Sequence, residues 1–432
     1  MNKVAFASFI GTAIEFYDFY IYGTAAALIF PHVFFPNLPP AMATISSLAT
    51  FAVAFLARPI GAAVFGHYGD RLGRKKTLVA TLLIMGLSTV GVGLVPSTAS
   101  IGLAAPIILL LLRVFQGFAV GGEWAGSALL SAEYAPAGKR GTYGMFTQLG
   151  AGAGLASSNL VVLIANVTIG EKSPVFLEWG WRLPFLLSSV LIVAGMIIRL
   201  KVSESPEFLE TKAAGEVVRN PLKEVFKNDW RNILRVIALR LAESGGFYVI
   251  VTYMLSYLTK GHEPITTKAV ALTGLVTAAA LGTMTTILFG ALSDKVGRRP
   301  VYFGGTILLM LFAFPMFWMV NTAVPMLIVF VYVVGLSIIH DSLAGTQGPW
   351  FSELFNTNTR SSGASVGYQF AAAISGFIPL ISAAVAAQMG WHGVALVYLT
   401  CGLIGFVGTV LTRETWGRAE RAAVDAVIAE LR

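Results

Sequence analysis

Charge is scarce in this sequence: acidic and basic residues together make up 12% of 432 residues, about half the share of an ordinary soluble domain. A soluble chain of this size needs charged faces to meet water, so the deficit excludes a soluble enzyme. Cysteine is nearly absent as well, and the lone Cys401 can close no intrachain disulfide, which excludes a disulfide-stapled scaffold. The few histidines form no cluster with metal-ligand spacing, and no glycine-rich loop is followed by Lys and Ser or Thr. Neither an enzyme motif nor a resident cofactor or metal is expected, and an ATP-driven pump is excluded for this chain alone.

Hydrophobic residues fill the space, at 56% of the chain. Stretches of about 20 such residues recur, each long enough for a hydrocarbon core of roughly 30 Å, so the chain is expected to be an all-α membrane protein. Twelve transmembrane helices are predicted, over 4–30, 43–66, 77–95, 103–132, 141–167, 181–201, 232–258, 267–293, 301–320, 324–350, 362–386 and 393–411. The first passes Glu15 and Asp18 and is too long and too polar for a cleaved signal peptide. Twenty-three of the 30 Lys and Arg residues fall in alternate loops and the two ends, against four (Lys172, Arg182, Lys260, Lys268) on the opposite side. Both termini are therefore expected in the cytoplasm, and the net charge of +8 is a topology signal, with no nucleic-acid partner implied.

The organisation is a repeat. Gly66-His67-Tyr68-Gly69-Asp70-Arg71-Leu72-Gly73-Arg74-Lys75-Lys76 lies between the second and third spans, and Gly290-Ala291-Leu292-Ser293-Asp294-Lys295-Val296-Gly297-Arg298-Arg299-Pro300 between the eighth and ninth, 224 residues on. This divides the chain into two pseudo-symmetric six-helix halves, 1–201 and 232–412, a cytoplasmic linker at 202–231 with a short surface helix, and a tail at 413–432.

The duplicated loop resembles that of the major facilitator superfamily, and Arg113-Val114-Phe115-Gln116-Gly117 is similar to its R-x-x-Q-G element. Gly11-Thr12-Ala13-Ile14-Glu15-Phe16-Tyr17-Asp18-Phe19, Ala57-Arg58-Pro59-Ile60-Gly61, Trp181-Arg182-Leu183-Pro184-Phe185 and Ser352-Glu353-Leu354-Phe355 resemble the metabolite:proton symporter branch, which includes shikimate, α-ketoglutarate, citrate and proline/betaine permeases. That resemblance covers nearly the whole chain. It implies a monomeric, proton-coupled inner-membrane transporter of small polar metabolites working by alternating access. In the repeated loops, Gly66, Asp70, Arg71, Gly73 and Arg74, and Asp294, Lys295, Gly297 and Arg298, are candidates for a latch that is made and broken as the bundle rocks, or else they only enforce topology.

Ionisable residues within spans are costly in hydrocarbon and mark candidate function. Five carboxylates, Glu15, Asp18, Glu123, Glu243 and Asp341, face three arginines, Arg58, Arg113 and Arg240, with His340 able to titrate. The excess of two carboxylates suggests proton coupling, or alternatively a site for a cationic substrate group or sodium. Gly11, Glu15, Asp18 and Tyr22 share one helical face, with Glu15 about 17 Å in from Val4. Arg58 is their nearest partner by depth. Arg113, with Gln116 on its face, is expected either to clamp a substrate carboxylate or to pair with a buried one. Glu123 sits beyond Gly117-x-x-x-Gly121, where close helix packing competes with a proton role. Arg240 and Glu243 are one turn apart, as a local ion pair or as substrate contacts, with Tyr248 beyond them. His340 and Asp341 form a proton relay or a packing pair, with Gln347, Tyr368 and Gln369 as further polar cavity candidates. The expected function is import of a small carboxylate, such as shikimate, a 2-oxo acid or a dicarboxylate, with protons carried first at Glu15 and Asp18. An exporter, an uncoupled facilitator or a betaine or proline symporter remain alternatives.

Overall fold

A computed structural model describes residues 2–72, 74–133, 140–170, 173–201, 226–260, 264–355 and 360–415. Among them there is no strand. The expected linker lies mostly outside the described residues, and so does the tail beyond Thr415.

The first half consists of α1 (Asn2–Leu28), α2 (Pro40–Leu72), α3 (Arg74–Leu94), α4 (Ala104–Glu133), α5 (Arg140–Ile169) and α6 (Leu183–Lys201). In the second half α7 begins at Trp230–Tyr248, passes through a π-helical turn at Val249–Tyr253 and ends as Met254–Thr259. Helix α8 is Lys268–Val296, and α9 is Arg298–Phe312 followed, after a break before Pro315, by Pro315–Val320. Helix α10 joins Pro325–Val333, a π-helical turn Val334–His340 and Asp341–Glu353. Helix α11 starts as Arg360–Ser375; the run Ile378–Leu411 completes it and then, past a non-helical Gly390 (φ 61°), forms α12. Only glycine adopts that φ readily, which is why the chain can reverse there without a loop.

Eight stretches among the described residues are long and apolar enough to cross a membrane, one of them the 49-residue stretch that holds both α11 and α12. The remaining three spans are less continuously apolar for visible reasons. Helix α1 carries Glu15 and Asp18, α7 carries Arg231, Arg235, Arg240 and Glu243, and α9 is broken at Pro315.

Small residues set the packing that places the interior. Helices α2 and α4 approach so closely that a Cβ on Gly117 would stand 1.9 Å from the Ala54 carbonyl oxygen, and one on Gly121 2.0 Å from that of Arg58. The expected close packing of Gly117-x-x-x-Gly121 is thus against α2, and it fixes the height of Arg58. Between the halves, α5 packs along α8, α2 against α11, and α1 against the outer part of α7. Toward the face poor in Lys and Arg, aromatic rings close the seam: Tyr20 meets Phe247 at 5.5 Å, and Tyr248 meets Phe51 at 5.6 Å and Phe55 at 5.4 Å. Lys260 Nζ also donates to Thr44 Oγ1 across it (2.7 Å).

Candidate functional site

Beneath this aromatic closure a cavity opens between the halves. Glu15 from α1 and Arg58 from α2 line one wall; Arg240, Glu243 and Tyr248 from α7, His340 from α10, and Tyr368 and Gln369 from α11 line the other. A second lobe shares Arg240, Glu243 and His340 with the first and runs between α5, α8 and α10, where Gly152, Ala278, Ala279, Gly282 and Thr283 leave room. The two lobes suit a small molecule with one polar end and a compact body.

The second-half wall is a continuous hydrogen-bonded cluster. Arg240 Nη1 donates to Glu243 Oε2 and to Gln347 Oε1 (2.9 Å), and Nη2 donates to the Tyr368 hydroxyl (2.7 Å) while the guanidinium lies 4.1 Å from that ring's centre. His340 bridges two carboxylates, with Nε2 2.9 Å from Glu243 Oε1 and Nδ1 2.9 Å from Asp341 Oδ1. The Thr285 hydroxyl donates to the other Asp341 oxygen (2.6 Å). The two pairs left open by the sequence, Arg240 with Glu243 and His340 with Asp341, are therefore one network. The π-helical turns bracket it, one following Tyr248 and the other ending on His340, and such turns re-aim the side chains beside them.

The first-half wall is different. The Arg58 guanidinium is wedged between Phe19 and Phe55, 4.5 Å from each ring centre, and makes neither a hydrogen bond nor an ion pair among the described residues. Arg58 and Arg199 are the cations that act on the Glu15 carboxylate. Arg199 was expected at the start of the cytoplasmic stretch; instead its guanidinium reaches back, donating to the Leu78 carbonyl and facing Gly11. It adds a fourth cation to the three expected within spans, so the excess of carboxylates falls from two to one.

Several expected site residues do not border the cavity. Asp18 turns toward α6, where Ser188 donates to it (2.5 Å), and Thr89 of α3 also reaches it. Arg113 is wholly buried among Tyr22, Phe19 and Phe51 at 4.1, 4.7 and 5.0 Å, and donates to Gln116 (3.0 Å), whose amide donates to Thr89 (2.8 Å). Tyr22 donates to Thr50 (2.8 Å). Asp18, Tyr22, Arg113 and Gln116 thus form a buried layer behind the wall. Gln369 does line the cavity and donates across the seam to the Gly121 carbonyl (3.3 Å).

The Glu123 carboxylate and the first repeated loop, with Gly66, Asp70, Arg71, Gly73 and Arg74, lie outside the described side chains. In the second loop Arg298 donates to Asp294 (2.5 Å) and to Ser293 (2.6 Å), and lies 3.8 Å from Glu353. Gly297 takes φ 105°, and Lys295 stays exposed. Glu414, a residue with no distinguishing pattern in the sequence, accepts the backbone N–H groups of Arg298 (3.1 Å) and Arg299 (2.9 Å), anchoring the end of α12 at the positive start of α9.

Two six-helix halves enclosing an ionisable cavity at their seam define a major facilitator transporter. The chain belongs to the sugar (and other) transporter family, whose model matches residues 3–419. It is 41% identical to the shikimate transporter of Escherichia coli K12 over 96% of this chain and 95% of that one. It is 40% identical to the inner membrane metabolite transport protein YhjE of the same organism, over 96% and 94%. It is 34% identical to the proline/betaine transporter of Salmonella typhimurium LT2, over 99% and 86%. Among solved structures, the partially occluded inward-open xylose transporter XylE of E. coli superposes with a TM-score of 0.75 at 19% identity, over 96% of this chain and 98% of that one, which shows the shared fold. The protein is a membrane-spanning metabolite transporter and not an enzyme.

Proposed function

We propose that the protein is a proton-coupled symporter that imports a small monocarboxylate by alternating access, without a resident cofactor, as a monomer in the inner membrane with both termini in the cytoplasm. The observation that carries this reading is the contrast between the two cavity arginines. Arg240 is already engaged by Glu243, Gln347 and Tyr368, whereas Arg58 faces the cavity with no carboxylate partner among the described residues. One open guanidinium suits one carboxylate, held in bidentate fashion, and a second anionic group would meet Glu15 or Glu243 instead. The uncharged body of the substrate would occupy the lobe of small residues between α5 and α8. Similarity to the shikimate transporter supports a hydroxylated ring acid, and the excess of Lys and Arg in alternate loops and the two ends supports the assigned orientation.

Glu15 beside Arg58 favours a second reading, a zwitterion such as betaine or proline, with its cationic group at Glu15. Uptake into right-side-out vesicles separates the two. Radiolabelled shikimate should accumulate under an inward proton gradient, stop accumulating when an ionophore collapses that gradient, and be displaced by monocarboxylates in preference to glycine betaine. Accumulation indifferent to the gradient would remove symport, and preferential displacement by glycine betaine would favour the zwitterion.

A further inference from the structure

The bridging imidazole fixes a proton count. Two nitrogen-to-carboxylate contacts of 2.9 Å flank His340, and each needs a hydrogen between its atoms. A neutral imidazole supplies one hydrogen only. The second must come from a proton on the ring or on a carboxyl, so this arrangement of Glu243, His340 and Asp341 holds one proton beyond the fully ionised pair and neutral ring. Arg240 on Glu243 and Thr285 on Asp341 supply the remaining donors from α7 and α8, and Tyr368 faces Arg240 from α11. With that proton and Arg240 counted, the cluster is neutral; without it, the cluster carries −1.

The facing wall has the complementary valence, because Glu15 lies between two cations, Arg58 and Arg199, which leaves +1, and Arg58 makes no hydrogen bond or ion pair among the described residues. Resting on the symport reading above, we infer that the Glu243–His340–Asp341 bridge is the coupling site and that it enforces one proton per monocarboxylate. The loaded cavity, with substrate on Arg58 and the proton on the bridge, is neutral. The empty cavity is neutral too, since Arg58 and the deprotonated cluster compensate each other across it. Substrate alone leaves −1 and proton alone leaves +1, and sealing a net charge away from water is costly. Only the two neutral states therefore close and reorient. On release the proton passes to cytoplasmic water, one of the two nitrogen-to-oxygen contacts loses its hydrogen, and that contact opens. Asp18, held by Ser188 behind the wall, does not border the cavity whose charge is counted here.

The purified protein in proteoliposomes, with radiolabelled shikimate as probe, tests this. Wild type should accumulate the probe under a pH gradient with no membrane potential, and not under a potential alone, because proton plus monoanion moves no net charge. Asp341→Asn, whose cluster carries no net charge without the proton, should lower gradient-driven accumulation at least tenfold, to the equilibrium level, while counterflow exchange, which needs only the neutral substrate-loaded state, remains measurable within about tenfold of wild type and also shows that the variant folds. Gradient-driven accumulation by this variant at the wild-type level overturns the assignment. Potential-driven uptake by wild type overturns the one-to-one count without recourse to any variant. Absence of wild-type shikimate uptake under both gradients overturns the monocarboxylate reading itself, and the coupling that rests on it.

Discussion

At the scale of single residues, depth along a helix and exposure to the cavity are separate properties. Arg58 and Arg113 were both expected in the membrane interior, and both stack on Phe19, yet only Arg58 borders the cavity. An interaction between a charged group and its partner is typically worth about 1.5–3 kcal/mol, and tenfold in affinity corresponds to about 1.4 kcal/mol. Arg58→Gln should therefore raise the half-saturating substrate concentration about 10- to 100-fold in counterflow, and Arg113→Gln should change it less than about threefold. Equal losses in the two variants would show that Arg113 acts on the substrate through the wall. The sequence made all of these residues visible because each charge in hydrocarbon stands out. It did not show which side of α4 the Arg113 side chain leaves from, since that depends on the aromatic rings that α1 and α2 bring to it. Arg199 is hidden in the sequence for the opposite reason: it opens a run of cations expected outside the spans, and only the packing of α6 against α1 turns it inward.

At the scale of elements, periodicity and loop chemistry carried most of the twelve spans, and the departures from regular helix were the part it could not carry. The π-helical turns at Val249–Tyr253 and Val334–His340 leave no distinctive pattern in an apolar run, because a single extra residue per turn shifts the register without changing composition. The Gly117-x-x-x-Gly121 element was legible, and its consequence is testable. Gly117→Leu would drive a branched side chain into the Ala54 carbonyl, and overpacking of this kind typically costs about 1–3 kcal/mol. The thermal unfolding midpoint in detergent should fall, with a rise in half-saturating substrate concentration as α2 carries Arg58 outward. Gly304→Ala on α9, where an added Cβ meets nothing within 4 Å, is the matched control and should leave the midpoint unlowered. A Gly117→Leu protein as stable as that control would mean that α2 and α4 can separate without penalty.

For the whole molecule, alternating access requires the seam between halves to open on each side in turn, and the face opposite the basic loops carries a titratable contact. Lys260 in the loop after α7 bonds Thr44 at the start of α2, and its neighbours there are His32 and Lys268. Burial first, and then repulsion from Lys268, push the Lys260 ammonium down to about 7; burial likewise lowers His32. Once the seam opens, Lys260 returns to water and to an ordinary value of about 10.4. Opening therefore takes up a proton between those two values, so the closed seam is most favoured above about pH 10. It loses that advantage steadily as the pH falls to about 7, with no further contribution from Lys260 below that. Linkage bounds the effect at about tenfold in the open-to-closed ratio per pH unit. Spin labels at Ala41→Cys and Thr267→Cys, in a Cys401→Ala background that removes the chain's single native cysteine, would report the separation across the seam. The longer distance should gain population as the pH is lowered from 9 to 7, and Lys260→Met should flatten that response. An unchanged response in Lys260→Met would assign the pH dependence of this face to His32 or Lys268 instead.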